Sequence, residues 1–403
     1  MVYNISLFMR LAYRSIFKSR GTNGELKGKR LGFMLLFYLV WPIYTLWTWA
    51  FLLLDDLLFP GYKMKAVEKP LFILGNFRSG STYLYRLFSH DASTFTSLRT
   101  ADIFFAPSVT QKKLLHVVAS VDSEIGHPLK NFLLHLDKRT LGQVHIHHVG
   151  LFEPEEDENI LLHIWSSFFI GFMFPFWKDL PRYEFFDEAI PAPERRSIMR
   201  FYKSCIQRHL YATGAKRIYL SKNPAFSAKI QSLVETFPDA RILYLVRNPL
   251  DMEPSTISWL SYAWGIFSVP KERYPFRKEV LAMTKYWYRH PLKFIDDHPS
   301  DQWQVVVYDD LMREPMRVIR TLYRQFDYPI GEGLEKVTSE VEADKDQYKS
   351  DHLYSYEDMG YSRQEIIDAF PDIFERFHFD RREPLPRFEL HSGNSIAAGV
   401  SLK

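Results

Sequence analysis

The chain has 403 residues, 46% hydrophobic and 25% charged, which is enough apolar mass for one large domain or two modest ones and excludes disordered and fibrous classes. A formal net charge of +3 gives no reason to expect a nucleic-acid partner. The single cysteine, Cys205, excludes an intramolecular disulfide, a cysteine-rich zinc site and an iron–sulfur cluster. Aromatic residues make up 16%, with nine tryptophans, and they gather in particular stretches that point to lipid or an apolar ligand.

From Leu31 to Leu54 the sequence has no charged residue, a run long enough to cross a hydrocarbon core as a helix. It lies too far from the N-terminus and is too long for a signal peptide, so it is expected to persist in the mature chain. Arg10, Arg14, Lys18, Arg20, Lys27, Lys29 and Arg30 precede it against Glu25 alone, which on the positive-inside rule places the N-terminus in the cytoplasm. Pro42 splits the run, and Trp41, Trp47 and Trp49 fall within it instead of at its ends, the pattern of a kinked, re-entrant or half-inserted hairpin. Upstream, Arg10, Arg14 and Lys18 recur at every fourth residue, while Ile5, Met9, Ala12 and Ile16 line another face, as in a basic helix lying on anionic lipid. The one N-x-S/T site, at Asn4, precedes the run, so the absence of later sites and of disulfides leans towards a catalytic region on the cytoplasmic face.

Beyond a linker around Pro60 to Pro70, β-rich runs alternate with helical stretches. The clearest strands are Leu71–Gly75, Arg217–Leu220, Arg241–Val246 and Trp303–Tyr308. The alternation predicts an α/β fold with a mostly parallel sheet and helices on both faces, and continuous apolar strands agree with burial on both sides. The expected organisation is a membrane-associated segment over 1–65, one α/β domain over 69–380 and a tail over 381–403.

The first strand runs directly into Gly75-Asn76-Phe77-Arg78-Ser79-Gly80-Ser81-Thr82 and then into a helical pattern. A strand, a glycine-containing turn and a helix N-terminus form an anion site, because free N–H groups and the helix dipole converge. The G-x-x-x-x-G spacing is that of a nucleotide phosphate loop, but Ser81 stands where the ATP-type loop carries lysine, and the cation comes earlier as Arg78; ATP hydrolysis is thereby disfavoured. A second element, Arg247-Asn248-Pro249-Leu250-Asp251-Met252-Glu253-Pro254-Ser255, ends a strand and turns into a helix. It brings a bidentate Arg247 and the Ser255 hydroxyl towards one point, a second phosphate site.

These two elements resemble the sulfotransferase family, whose sulfuryl donor is 3′-phosphoadenosine 5′-phosphosulfate (PAPS). RSGST at 78–82 is similar to the family's 5′-phosphosulfate loop, with Ser81 for the usual threonine, and R-x-P-x-D-x-x-x-S at 247–255 is similar to its 3′-phosphate motif. The stretches 220–251, 306–329 and 352–362 also resemble family blocks, so the resemblance covers about 70–375 and leaves the N-terminal segment outside. It implies a P-loop-like three-layer fold. It further implies that Arg78 contacts the 5′-phosphosulfate and the leaving oxygen, that the N–H groups of Ser79, Gly80, Ser81 and Thr82 cradle the 5′-phosphate, and that Arg247 and Ser255 hold the 3′-phosphate. Lys222 stands at the family's lysine beside the transferring group, and Lys349 is a candidate for closing over the 3′-phosphate.

Sulfuryl transfer is an in-line displacement that needs positioning, neutralisation of oxygen charge and one base, and the transferred group is too weakly charged to demand a bridging metal. The resemblance implies a histidine or an acid as base. The candidates are Asp102 in LRTADIFFAPS and His147 or His148 in HIHHVGLFEPEEDE, the imidazole having the more suitable pKa. His145, His147 and His148 followed by Glu153, Glu155, Glu156, Asp157 and Glu158 also permit a metal site or a solvated acidic face, but the run lacks the pairing of a helical zinc motif. The stretch 159–177 is apolar on nearly all sides, either a core helix or an aromatic wall for an acceptor. Together these features lead to a membrane-associated, PAPS-dependent, metal-free sulfotransferase acting on a hydroxyl of a lipid, sterol or glycolipid, with membrane lipid and the acceptor as its partners. The alternative is a glycan sulfotransferase of type II membrane topology.

Overall fold

The computed structural model describes residues 3–140, 150–214, 216–344, 356 and 358–379. Five strands, β1 (Leu71–Gly75), β2 (Phe95–Thr96), β3 (Ile218–Lys222), β4 (Arg241–Val246) and β5 (Trp303–Val307), form one sheet in the order β2-β3-β1-β4-β5. Every pairing is parallel. The expected strands are therefore present, with the third carried on to Lys222 and a short edge strand added. Because side chains alternate across a strand, Phe72 and Leu74 enter one apolar cluster with Ile242, Tyr244 and Val246, while Leu71 and Ile73 enter another with Leu243, Leu245 and Val306. Both faces are covered, which is why β1 and β4 read as unbroken apolar runs.

On the second face lie α3 (Ser81–His90) and helix Pro315–Gln325, through Leu84, Phe88, Ile319 and Tyr323. The first face carries the long helices Ala192–Thr213 and Arg277–Asp297. It also carries the N-terminal helices α1 (Ile5–Phe17) and α2 (Lys29–Leu58), whose Leu7, Leu11, Met34, Phe37 and Leu52 belong to that same core. Between α1 and the end of α2 the described residues thus share a core with one face of the sheet.

The expected hairpin at Pro42 is absent: α2 runs through it without interruption. Proline forfeits one helical hydrogen bond, but packing on both sides of it holds the helix together. Tyr44 donates to the Phe104 carbonyl at 2.6 Å and Trp49 to that of His163 at 2.9 Å. Near one end the fully buried Arg30 donates to the carbonyls of Gly24, Met173 and Phe267 at 2.6–2.9 Å. Near the other the fully buried Asp55 accepts from Val109 N, Thr110 N and Arg208 Nε at 2.7–3.0 Å. Asp55 thereby caps α5 (Val109–Glu124) from another helix. Between α3 and α5 lies the short α4 (Thr100–Phe104), and α6 (Pro128–Thr140) follows α5.

The stretch 159–177 is not one helix. A 3₁₀ turn over Asp157–Ile164 ends at Trp165 in the left-handed region (φ 56°), and a short helix follows at Ile170–Met173. The break is held by Glu158, which accepts from Ser167 Oγ at 2.6 Å and Phe168 N at 2.9 Å. Trp165 is fully buried against Phe8, Phe37 and Trp41 of the N-terminal helices, so this run is largely core.

Removing Asp55 takes the buried carboxylate from the Arg208 guanidinium and the acceptor from the first two N–H groups of α5, whose own cap at Ser108 remains. Asp55→Ala is expected to destabilise the protein by about 3–5 kcal/mol, measured by urea unfolding in detergent.

Candidate active site

In the strand order β2-β3-β1-β4-β5 the chain fills one side of β1 before crossing to β4 on the other. The loops leaving the carboxyl ends of β1 and β4 therefore diverge and open a crevice, the place where parallel sheets bind ligands. Gly75 is in register with Leu245, so the two phosphate-type elements of the sequence emerge side by side.

The loop after β1 is built around backbone that only some residues adopt. Gly75 has φ 152°, and a Cβ there would lie 2.6 Å from Ser79 Oγ and 2.9 Å from the Leu245 carbonyl oxygen. Ser227 clamps the strand end, accepting from Gly75 N at 3.0 Å and donating to Gly75 O at 2.8 Å. Arg78 sits in the left-handed region at φ 63°, and Gly80 follows at φ 89°, where a Cβ would come within 2.5 Å of the Tyr308 ring. α3 begins at Ser81, so the N–H groups of Ser81 and Thr82 have no acceptor within the helix and face its positive end. Ser79 Oγ is buried without a hydrogen-bond partner among the described residues.

The element after β4 closes on this loop. Arg247 donates to the Arg78 carbonyl at 2.9 Å, and its own carbonyl accepts from Tyr288 at 2.5 Å. Its guanidinium lies 4.3 Å from the centre of the Tyr308 ring, and its Nε is buried without a partner among the described residues. In the following helix, Pro249–Phe267, Ser255 Oγ accepts from Arg78 Nε at 2.9 Å, which leaves the Ser255 O–H to donate elsewhere, and Thr256 donates to the Phe77 carbonyl at 3.2 Å. Two guanidinium groups, an unpaired hydroxyl and a helix N-terminus within one crevice fit an anionic phosphate or sulfate ligand.

On the other side of β1, Lys222 ends β3 and is buried. Its Nζ donates to Glu156 Oε1 at 2.7 Å. The acidic run that holds Glu156 is no solvated face. Asp157 accepts from Tyr202, Tyr219 and Ser221 at 2.5–2.8 Å, and burial, against those three donors, pushes its carboxyl up to about 6. Glu158 pairs with the buried Lys229. These charges lie beneath the sheet's carboxyl end and are neutralised one by one.

Asp102 lies in α4, where it accepts from Arg99 N at 3.0 Å and pairs with the buried Lys112. Burial raises its carboxyl pKa, but Lys112 beside it outweighs that and holds it below the usual carboxylate range, which favours a standing anion over a proton acceptor. Neither of these partners belongs to the phosphate loop. The structure does pair its segment with the acidic one: Thr100 N bonds Glu153 O at 3.1 Å and Glu155 N bonds Leu98 O at 3.2 Å. His147, His148 and Lys349 lie outside the described residues.

Sequence reasoning did not single out Thr256, Tyr308 or Glu184. Glu184 borders a narrow cleft with Phe168, Phe172, Trp177, Leu180 and Trp264. Phe168 stacks towards the phosphate loop, 6.1 Å between its ring centre and that of Phe77, which in turn is 4.8 Å from Trp259. Burial pushes the Glu184 carboxyl up to about 7. Its sequence context, RYEFFDEA, marks it only as one acid among several.

A methyl group at residue 80 collides with Tyr308 and forces a β-carbon onto a left-handed backbone. Gly80→Ala is expected to abolish the thermal shift given by 3′,5′-bisphosphoadenosine while near-native far-UV circular dichroism is retained, with partial recovery in the Gly80→Ala/Tyr308→Ala double variant.

The comparisons with known proteins agree with this geometry. Two solved structures share the fold: sulfotransferase STF9 from Mycobacterium avium, with TM-score 0.71, 18% identity and coverage of 94% of this chain and 98% of that one, and sulfotransferase STF1 from Mycobacterium tuberculosis, with TM-score 0.64, 16% identity and coverage of 91% and 92%. Since the first alignment omits only 6% of the chain, it takes in part of the N-terminal helical segment. In sequence the chain is 24% identical over 325 residues, 79% of this chain and 77% of the relative, to omega-hydroxy-beta-dihydromenaquinone-9 sulfotransferase Stf3 of Mycobacterium bovis. The sulfotransferase family model matches residues 70–332, from the strand that feeds the phosphate loop to the helix after β5; the chain belongs to the sulfotransferase family and is an enzyme of that class.

Proposed function

We propose that this enzyme moves a sulfuryl group from PAPS to a hydroxyl of a hydrophobic, lipid-like acceptor at a membrane. The observation that carries the donor assignment is the junction of the two phosphate elements, Arg247 on the Arg78 carbonyl and Arg78 on Ser255. One anion site suits many nucleotides; two joined sites suit a nucleotide bearing phosphates at both ends of its ribose. In the proposed step the acceptor oxygen forms a bond to sulfur as the bond from sulfur to the 5′-phosphate oxygen breaks, the electron pair stays on the departing bisphosphate, and the acceptor proton passes to a base. Arg78 and the N–H groups from Ser79 to Thr82 take up the charge on the leaving phosphate. Arg247 and Ser255 hold the 3′-phosphate, with Lys349 as the candidate to close over it. Lys222, steadied by Glu156 at 2.7 Å, places a cation beside the sulfuryl oxygens. His147 or His148 is the candidate base, the Lys112 pair making Asp102 the weaker choice.

The acceptor assignment rests on the aromatic cleft beside Phe77 and on the named substrate of the mycobacterial relative, a hydroxylated menaquinone derivative. Both favour an apolar molecule presenting one hydroxyl.

Incubation of the detergent-solubilised protein with labelled PAPS and a total lipid extract, read by mass spectrometry, is expected to give a lipid heavier by one sulfuryl group. Arg78→Ala is expected to lower the rate about 10²- to 10³-fold, and Arg247→Ala to raise the donor KM with a smaller change in kcat. A protein that binds 3′,5′-bisphosphoadenosine yet sulfates only soluble glycans overturns the acceptor assignment and leaves the donor site standing.

The raised carboxyl of Glu184 gives a further expectation. Below about pH 7 the cleft is uncharged, and as pH rises through that value a carboxylate forms in an apolar wall. The acceptor KM is therefore expected to rise above pH 7, and Glu184→Gln to flatten the profile. Because the folded pKa lies above the unfolded one, the stability linked to this group is present at low pH and lost as pH rises through about 7.

A further inference from the structure

We infer that the outer face of α1, α2 and the α5–α6 hairpin is a monotopic docking surface for one leaflet of an anionic lipid bilayer, and that α2 does not cross the membrane. The inference deepens the membrane association proposed above and rests on that part of it; it is independent of which acceptor is sulfated.

The composition of α2 satisfies the length and apolarity of a span, yet only 17% of its most apolar window is buried. The buried stripe, Met34, Phe37, Thr48 and Leu52, faces the catalytic domain. On the opposite stripe Leu35, Leu39, Ile43, Leu46, Leu53 and Leu57 are 62–76% exposed and are covered by no protein partner among the described residues. A helix apolar on both faces is explained when one face meets protein and the other meets hydrocarbon.

Attachment along its whole length excludes a crossing. A helix of 30 residues is about 45 Å long, and it is pinned to the domain by Arg30 near the start, Tyr44 and Trp49 midway and Asp55 near the end. Setting α2 across a bilayer would pull the charged domain surface into hydrocarbon, or else detach the helix and break the buried bonds of Arg30 to Met173 and Phe267 and of Asp55 to Arg208.

Neighbouring elements extend the face. α1 exposes Ile5, Met9, Tyr13 and Ile16 while burying Leu7 and Leu11. α5 exposes Leu114, Val118, Val121 and Ile125 at its end, and α6 exposes Phe132. The occupant is a lipid surface because the α1 end of the face is basic: Arg10, Lys18, Arg20 and Lys27 are exposed there, with Glu25 as the single acid up to residue 30, while of the exposed acids farther along, Asp56 and Glu124, the first is paired with Lys63. A basic end on an apolar face complements anionic headgroups over acyl chains and opposes a second copy carrying the same charge. Phe33, on the domain-facing side of α2 near its start, packs 5.3 Å from Phe267, at the end of the helix whose Trp264 borders the aromatic cleft, so the start of α2 lies near the proposed acceptor cleft.

The test uses the full-length protein reconstituted on sealed vesicles. Cysteines are introduced before and after α2, Lys27→Cys and Met64→Cys, Cys205 being buried, and are probed with a membrane-impermeant maleimide. Equal labelling of both positions without detergent is the expected result; protection of one position until detergent is added means a crossing and overturns the inference. In flotation, binding is expected to be at least tenfold tighter to vesicles of 70% phosphatidylcholine and 30% phosphatidylglycerol than to phosphatidylcholine alone. The variant Leu39→Glu/Leu46→Glu is expected to lose flotation at least tenfold while keeping its thermal shift with 3′,5′-bisphosphoadenosine, which shows that it is folded. Unchanged flotation of that variant, or a wild type that ignores vesicles and forms a dimer through this face, overturns the inference. Sulfation of lipid extract in detergent is scored separately, so failure of the docking surface and failure of the acceptor assignment are told apart.

Discussion

The Arg247 guanidinium bound to the Arg78 carbonyl is the interaction on which the site depends. It is made possible by the pairing of β1 with β4, which brings two loops separated by well over a hundred residues to one edge of the sheet. A carbonyl oxygen engaged by a cation cannot turn towards a bound anion, so the loop presents its N–H groups and side chains instead. The return contact, Arg78 Nε to Ser255, uses the helix after β4 as a strut for the helix-forming loop after β1. With Thr256 on the Phe77 carbonyl and Tyr308 against both Gly80 and Arg247, the loop is held from β4 and from β5 at once. Preorganisation of this kind fixes the loop's N–H groups and guanidinium in advance of any anion they would hold.

Beneath that edge the molecule buries three consecutive carboxyl groups. Glu156 with Lys222, Asp157 with two tyrosines and a serine, and Glu158 with Lys229 occupy consecutive positions of one segment. Each of these buried carboxylates has a matched partner, which is the condition under which burial is tolerated, and the network orients Lys222, in register with Ile73 of β1. The same segment then breaks at Trp165 and delivers the aromatic run of 165–177 to two uses, the core under α1 and α2 and the wall of the cleft beside Phe77.

The N-terminal helices follow the same logic. They complete the core on one face of the sheet, and Arg30, Asp55 and Arg208 fasten them there with buried charge. The aromatic cleft proposed for the acceptor and the apolar outer face therefore belong to one continuous body.

The amino-acid sequence by itself determined the local chemistry. Four of the five strands, the glycine-bearing turn with Arg78 and the Arg-Asn-Pro element are legible because a parallel strand buried on both sides must be apolar throughout and a phosphate loop must supply glycine where backbone and ligand approach. The family follows from those motifs and matches the comparison over 70–332. Contacts between residues distant in the chain were decided only in three dimensions. Periodicity does not tell whether an apolar helix faces lipid or protein, so α2, one face of which packs on the core while the other is exposed, read as a membrane segment of open topology. An acidic run looks the same whether solvated or neutralised, and only the approach of Lys222 and Lys229 from β3 and the turn after it made this one interior. The pairing of Asp102 with Lys112 and the entry of Glu184 into an aromatic cleft have no local signature either, because a carboxylate's role is set by the dielectric and the charges that folding brings to it.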